Sequence, residues 1–127
     1  MSTHNPWPEF DAVRSVVHDY MDGMFYADEA KLRSAFHPKS FVIGHFGGTL
    51  EYDTLDSFVA FVKGEPKLPP GTSYVSDITS IDITGDIAAA KVIVVYSGHR
   101  YTDYLTLLKH DGRWQIVNKA YCVRERA

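Results

Sequence analysis

One cysteine, no apolar run near membrane-spanning length and no surplus of positive charge: the 127-residue chain is marked first by what it does without. Cys122 has no second thiol to pair with, so an internal disulfide is excluded. The opening stretch MSTHNPWPEF has neither the basic nor the apolar segment of a secretory leader, and together with the single cysteine it makes cytoplasmic residence the expectation. No apolar run approaches the roughly 20 residues that cross a bilayer as a helix, so no membrane partner is expected. With 13 basic against 16 acidic side chains the formal charge is −3. That argues against a nucleic-acid partner, whose phosphates demand clustered Lys and Arg. The six histidines form no His-x-x-x-His pair, no Cys-His spacing and no Glu-containing zinc motif, so no metal is expected. No Gly-x-Ser-x-Gly marks a nucleophile, and no cofactor is called for. Internal repeats and low-complexity segments are also missing.

What is present suits one globular domain over residues 1–127, with 45% hydrophobic and 13% aromatic residues and a size that lets the chain bury roughly two thirds of its unfolded surface. Phe10, Val13, Val17, Tyr20, Met21 and Met24 recur at spacings of three and four, opposite Asp11, Arg14, Ser15, His18 and Asp22, which predicts an amphipathic first helix. Asp28 caps a shorter second helix that carries Leu32, Ala35 and Phe36 inward and stops at HPKS, because Pro38 disfavours helix in His37. Gly47-Gly48 splits SFVIGHFGGTLEY into a hairpin. Leu55, Phe58, Val59 and Val62 then form a third helical stripe, capped by Asp53 or Thr54 and ended at Gly64. EPKLPPGTS is a proline-stiffened loop. SYVSDITSIDI, IAAAKVIVVYSG, RYTDYLTLLKH and RWQIVNKAYCV read as four strands whose short connections make an antiparallel meander. The first eight or so residues and the last few are expected to be disordered.

The predicted class is α+β, with three helices on one face of a curved, mainly antiparallel sheet. Alternation along the strands assigns Asp103, Leu105 and Leu107 inward, and Trp114, Ile116, Asn118, Ala120 and Cys122 inward on the last strand. Ala88 and Ala90 share a face with Val92, Val94 and Tyr96, so small side chains at one end of that strand leave room for a cavity. The other face carries Ile93, Val95, Tyr104, Thr106, Val117 and Tyr121, more apolar surface than a solvated sheet normally shows, which predicts a homodimer through the sheet.

This element order resembles the nuclear transport factor 2-like, or SnoaL-like, superfamily, a cone-shaped cystatin-like barrel, over nearly the whole chain. The nearest likeness is to the group named "putative lumazine-binding". The residues that carry it are YMDGMFYADEAKLRSAFHP and TDYLTLLKHDGRWQIVNKAY. The label is a family name; no flavin- or pterin-specific motif is present. The superfamily hosts isomerases, dehydratases, cyclases, ligand-binding modules and adaptors, so fold alone does not choose among them.

Ketosteroid isomerase, in the same superfamily, uses an Asp general base with a Tyr and a protonated Asp donating hydrogen bonds to the developing enolate oxygen. The resemblance places Tyr20 at the position of that helical Tyr and Asp103 at that of the oxyanion Asp. An ungapped count from FHP puts Gly44 at the base position, with His45 one residue later. Either a one-residue bulge turns His45 inward as acid or base, or this base is missing. Tyr20, His45 and Asp103 are thus the candidate catalytic set, and Met24, Trp114 and Asn118 the candidate ligand contacts. Each has a plainer reading: Tyr20 and Asp103 as satisfied core groups, His45 as a solvated rim residue, Asn118 bonded to neighbouring backbone. His18, His37, His99 and His110 are assigned structural or solvated roles. The function expected is cofactor-free proton transfer on a carbonyl or polyene compound, an isomerisation, dehydration or cyclisation of a small apolar or aromatic ligand. The alternative is a non-catalytic ligand-binding or dimerisation module.

Overall fold

In the computed structural model, which describes residues 7–124, the hydrophobic stripe of the first third becomes α1 (Trp7–Phe25). Val13, Val17, Tyr20 and Met21 on that stripe are fully buried, each burial worth about 1.5–3 kcal/mol for an aliphatic side chain of this size. The disorder expected at the chain ends falls mostly outside the described residues, but Trp7 and Pro8 are already helical. α2 (Glu29–Ala35) starts at Asp28, whose side chain accepts from the Lys31 amide, three residues on. Gly23 lets the two helices meet closely, since a Cβ there would stand 2.9 Å from Leu32 Cγ.

β1 (Phe36–Phe46) and β2 (Thr49–Thr54) form the hairpin, with both turn glycines at positive φ. α3 (Leu55–Gly64) is capped by Thr54, which accepts from the Ser57 amide. β3 (Ser76–Thr84), β4 (Ile87–Tyr96), β5 (His99–His110) and β6 (Arg113–Arg124) make the expected meander. The Ser97-Gly98 turn between β4 and β5 leaves His99 as the first residue of β5.

β6 closes the architecture by pairing antiparallel with β5 and parallel with β1. The six-stranded order is β2-β1-β6-β5-β4-β3, a mixed, unclosed sheet that curves around the three helices as a cone. One inner face therefore holds the core, from Val13, Val17 and Met21 to Val92, Leu105, Leu107 and Ile116. At the narrow end Glu9 ties α1 to the sheet, accepting from Trp114 Nε1 at 2.7 Å and pairing with Lys109 Nζ at 2.7 Å.

Strand β6 departs from simple alternation. Thr106 pairs with Asn118 and Leu107 with Ile116, so Val117 is an extra residue, a bulge. Beyond it the inward positions belong to Lys119 and Tyr121. Asn118, Ala120 and Cys122 turn to the outer face, which corrects the inward assignment made for those three.

Candidate functional site

At the wide end of the cone the inner face opens into a cavity of about 300 Å³. Its walls come from the end of α1 (Met24), from β1 and β2 (Val42, Phe46, Glu51, Asp53), from α3 (Phe58, Phe61) and from the β4–β5 corner (Tyr96, Tyr101); β6 adds Lys119 and Tyr121. Ala88 and Ala90, expected to make the space, are instead packed in the core at the other end of β4.

Lys119 is the polar group at the inner end of this cavity. It is 4% exposed, and its Nζ lies 4.7 Å from the Phe58 ring centre, 5.0 Å from that of Tyr20 and 5.8 Å from that of Tyr121. Behind it, Asp103 Oδ2 is 3.9 Å from Nζ and accepts a 2.7 Å hydrogen bond from the Tyr20 hydroxyl. Asp103 is fully buried, and its Oδ1 has no hydrogen-bond partner among the described residues.

Burial dominates the proton affinities of these three groups. It raises the Asp103 carboxyl above the usual range, against the opposing pull of Lys119 and of the Tyr20 hydrogen bond. It lowers the Lys119 ammonium, against Asp103 and then Asp53. It also raises Tyr20 well above an ordinary phenol, with Asp103 adding to the effect. The ring faces around Nζ favour the ammonium, but desolvation is the larger influence. A proton is therefore held less tightly on Lys119, and more tightly on Asp103, than on either group in water.

The rest of the wall is aromatic and acidic. Burial first, and then neighbouring carboxylates or phenols, push Tyr101 and Tyr121 up to about 12. Tyr96, raised further by burial and by Glu65, carries a buried hydroxyl without a hydrogen-bond partner among the described residues.

The expected site residues separate into five places. Tyr20 and Asp103 meet, but neither lines the cavity; Lys119 stands between them and the open space. Met24 is in the wall, its sulfur 3.7 Å from the Tyr20 hydroxyl. His45 does not face the cavity. The β1–β2 register runs without a shift from Phe41 to Phe46, so no bulge turns it inward, and it is exposed in a shallower cleft beside Gly47, Gly48 and Cys122.

Gly44 holds the inward place, and a Cβ there would stand 2.6 Å from the Tyr121 carbonyl oxygen and 2.7 Å from its ring. The Tyr121 ring thus fills the space a longer side chain at position 44 would need. Trp114 lies at the narrow end, bonded to Glu9. Asn118 is on the outer face, where Nδ2 donates to the Phe41 carbonyl at 3.4 Å. His99, assigned a solvated turn, is half-buried in the cavity wall, 5.1 Å from Phe46.

Alternation without the bulge missed Lys119 and Tyr121. The available signal was the apolar excess on the supposed outer set, part of which Tyr121 explains by pointing inward. Glu51 and Asp53, alternate residues of β2, were a second one. Among the described residues no group of three or more His, Cys, Asp or Glu is placed to hold a metal ion, and no helix is long and apolar enough to cross a membrane.

The model of the family described as "Putative lumazine-binding" matches residues 8–122. Aldolase FrzH from Cladobotryum sp. is 27% identical over 123 residues, spanning 95% of this chain and 96% of that protein. Among solved structures, an NTF2-like protein of unknown function from Silicibacter pomeroyi is similar, with a TM-score of 0.88 and 30% identity, over 95% of this chain and 100% of its own. Another NTF2-like protein of unknown function, from Shewanella baltica, gives 0.86 and 27% over 96% of this chain and 98% of its own.

Proposed function

Since the chain belongs to the "Putative lumazine-binding" family of nuclear transport factor 2-like proteins, we propose that it binds a small, mostly apolar carbonyl compound in its cavity and moves a proton on it without a cofactor. The observation that carries this reading is the chain Tyr20–Asp103–Lys119, which ends with a lysine amine at the inner end of a space walled by aromatic and apolar side chains, with carboxylates at Glu51, Asp53 and Glu65. Lys119 is buried from solvent, so its polar contact to a carbonyl is strengthened relative to water. Lys119 touches the carbonyl group. Asp103 and Tyr20 act through it, holding its position and its proton.

Asp53, also in the wall and near enough to favour the Lys119 ammonium, is the carboxylate placed to accept a proton from the carbon beside the carbonyl. Isomerisation, dehydration, cyclisation and carbon–carbon bond making next to a carbonyl begin with that removal, and carbon–carbon bond breaking ends by returning a proton to the same carbon. The relative named aldolase supports the last class. The Tyr96 hydroxyl, without a hydrogen-bond partner among the described residues, supports a ligand with a second polar group. The same reading includes a homodimer formed through the outer sheet face.

The test is exchange of the α-protons of cyclohexanone in D2O, followed by NMR with and without protein. Exchange above the buffer rate, saturable in ketone and reduced on the order of a hundredfold in Asp53→Asn, is expected for a lost general base. Saturable binding with no exchange would select the non-catalytic ligand-binding module, and no binding would remove the reading.

A further inference from the structure

Resting on that reading of the cavity, we propose that Lys119 is a covalent centre: its amine condenses with the carbonyl carbon of the bound ligand to form an imine, the species on which the proton is then moved. Lys119 is the lysine buried among the described residues, and the cavity opens onto it. Lysines with a structural task in this chain are clamped by carboxylates: Lys109 by Glu9 at 2.7 Å and Lys63 by Glu29 at 2.9 Å. Lys119 is not. Its counter-ion Asp103 stands 3.9 Å away, beyond hydrogen-bond distance, and Asp103 Oδ2 is already engaged by Tyr20. Apart from Asp53, whose charge also reaches it, the neighbours of Nζ are ring faces, which take no proton and form no bond that an incoming carbonyl would have to break.

The surroundings suit each part of the step. A buried amine with weak counter-ion contact can release its proton and attack, the usual preparation of an imine-forming lysine. The neutral amine adds to the carbonyl carbon, and the carbonyl electron pair moves to oxygen. That oxygen leaves as water: the amine supplies two hydrogens to the products and the Asp103 carboxyl one, giving the protonated imine, one water and the Asp103 carboxylate. The carboxylate is then the counter-ion of the imine, with Oδ2 the oxygen that stands 3.9 Å from Nζ. The ring faces around Nζ favour loss of water. The positively charged imine draws electrons from the neighbouring carbon, so the Asp53 carboxylate removes a proton from a carbon far more acidic than that of the free ketone. The ligand class follows: ketones or aldehydes with at least one α-hydrogen, small enough for about 300 Å³.

The experiment incubates the full chain with cyclohexanone and sodium cyanoborohydride at neutral pH and maps adducts by peptide mass spectrometry. Trapping at Lys119 on the order of tenfold faster than at exposed lysines is expected. In parallel, exchange of the ketone oxygen with 18O-labelled water should be accelerated, because forming and hydrolysing an imine replaces that oxygen. Both signals should vanish in Lys119→Met and in Lys119→Arg, the second variant keeping a cation if the first folds poorly. Trapping spread evenly over all lysines would overturn the proposal. So would saturable α-proton exchange with neither adduct nor oxygen exchange; that result leaves proton transfer standing with Lys119 as a non-covalent contact. A chain that shows neither ketone binding nor α-proton exchange overturns both readings together.

Discussion

At the scale of single residues, the pairing of Asp103 with Lys119 and Tyr20 decides what a substitution does. Asp103→Leu leaves a buried amine with only the weaker influence of Asp53 as counter-charge and a buried phenol with no acceptor, and should cost about 3 kcal/mol in urea unfolding. Lys119→Met removes the amine and leaves the carboxyl with its Tyr20 bond, a smaller loss. The double variant should recover most of the Asp103→Leu deficit; strictly additive losses would mean that the two side chains do not interact. The pH dependence follows from the directions of the shifts. The folded chain holds the Asp103 proton above the ordinary carboxylate range, so that contribution is fully present below about pH 4 and is lost as pH rises through the folded value. Lys119 has the opposite sense: its folded value lies below that of an exposed lysine, and stability climbs with pH between the two. Lys119→Met keeps only the first trend, and strengthens it because Lys119 was pulling Asp103 down. Its urea midpoint should therefore fall from about pH 4 toward neutrality more steeply than that of the parent chain; parallel profiles would contradict the assignment.

At the scale of elements, the close approach of β1 to β6 gives a sharper test. A methyl group at position 44 meets the Tyr121 backbone oxygen, which cannot rotate away, and the Tyr121 ring, which forms cavity wall. Gly44→Ala should thus cost about 1–3 kcal/mol by overpacking and weaken ketone binding in the same variant. An unchanged melting temperature would mean that β1 shifts to accommodate it. Most elements were legible in the sequence because each was announced locally: the α1 stripe, the Asp28 and Thr54 caps, the Gly47-Gly48 turn and the short β4–β5 and β5–β6 connections all act within a few residues. The Tyr20–Asp103 pair was legible from resemblance and from an acid on an apolar stripe. Lys119 was not, because Val117 is a bulge only with respect to β5, and a residue's parity after a bulge depends on a strand it has yet to meet. The inward His45 failed for the complementary reason, since the shift in β1 lies between Phe36 and Phe41, before the turn region rather than within it. The cavity was expected at the alanine end of β4, where helix packing consumed the space; it formed at the end where the chain supplies aromatic side chains too large to close over one another.

At the scale of the molecule, the outer sheet face carries Tyr104 at 60% exposure and, on the β1–β2 hairpin, Phe41 stacked on Tyr52 with ring centres 5.7 Å apart. Sedimentation equilibrium at micromolar concentration should give twice the 14.3 kDa chain mass, and Tyr104→Glu should shift the population toward monomer. A single 14.3 kDa species would remove the dimer from the reading. The position of β6 has a further consequence, for synthesis. It follows every other strand in sequence yet lies between β1 and β5, and its pairing of Ile116 with Phe36 joins residues on either side of most of the fold. During translation at about 5–20 residues per second, the hairpin and the meander must wait for it with two bare edges and an incomplete inner face. The cavity wall and the cover of two strand edges therefore arrive together in β6, and a lesion in that strand is felt by the cell first as failed folding and only then as a lost cavity.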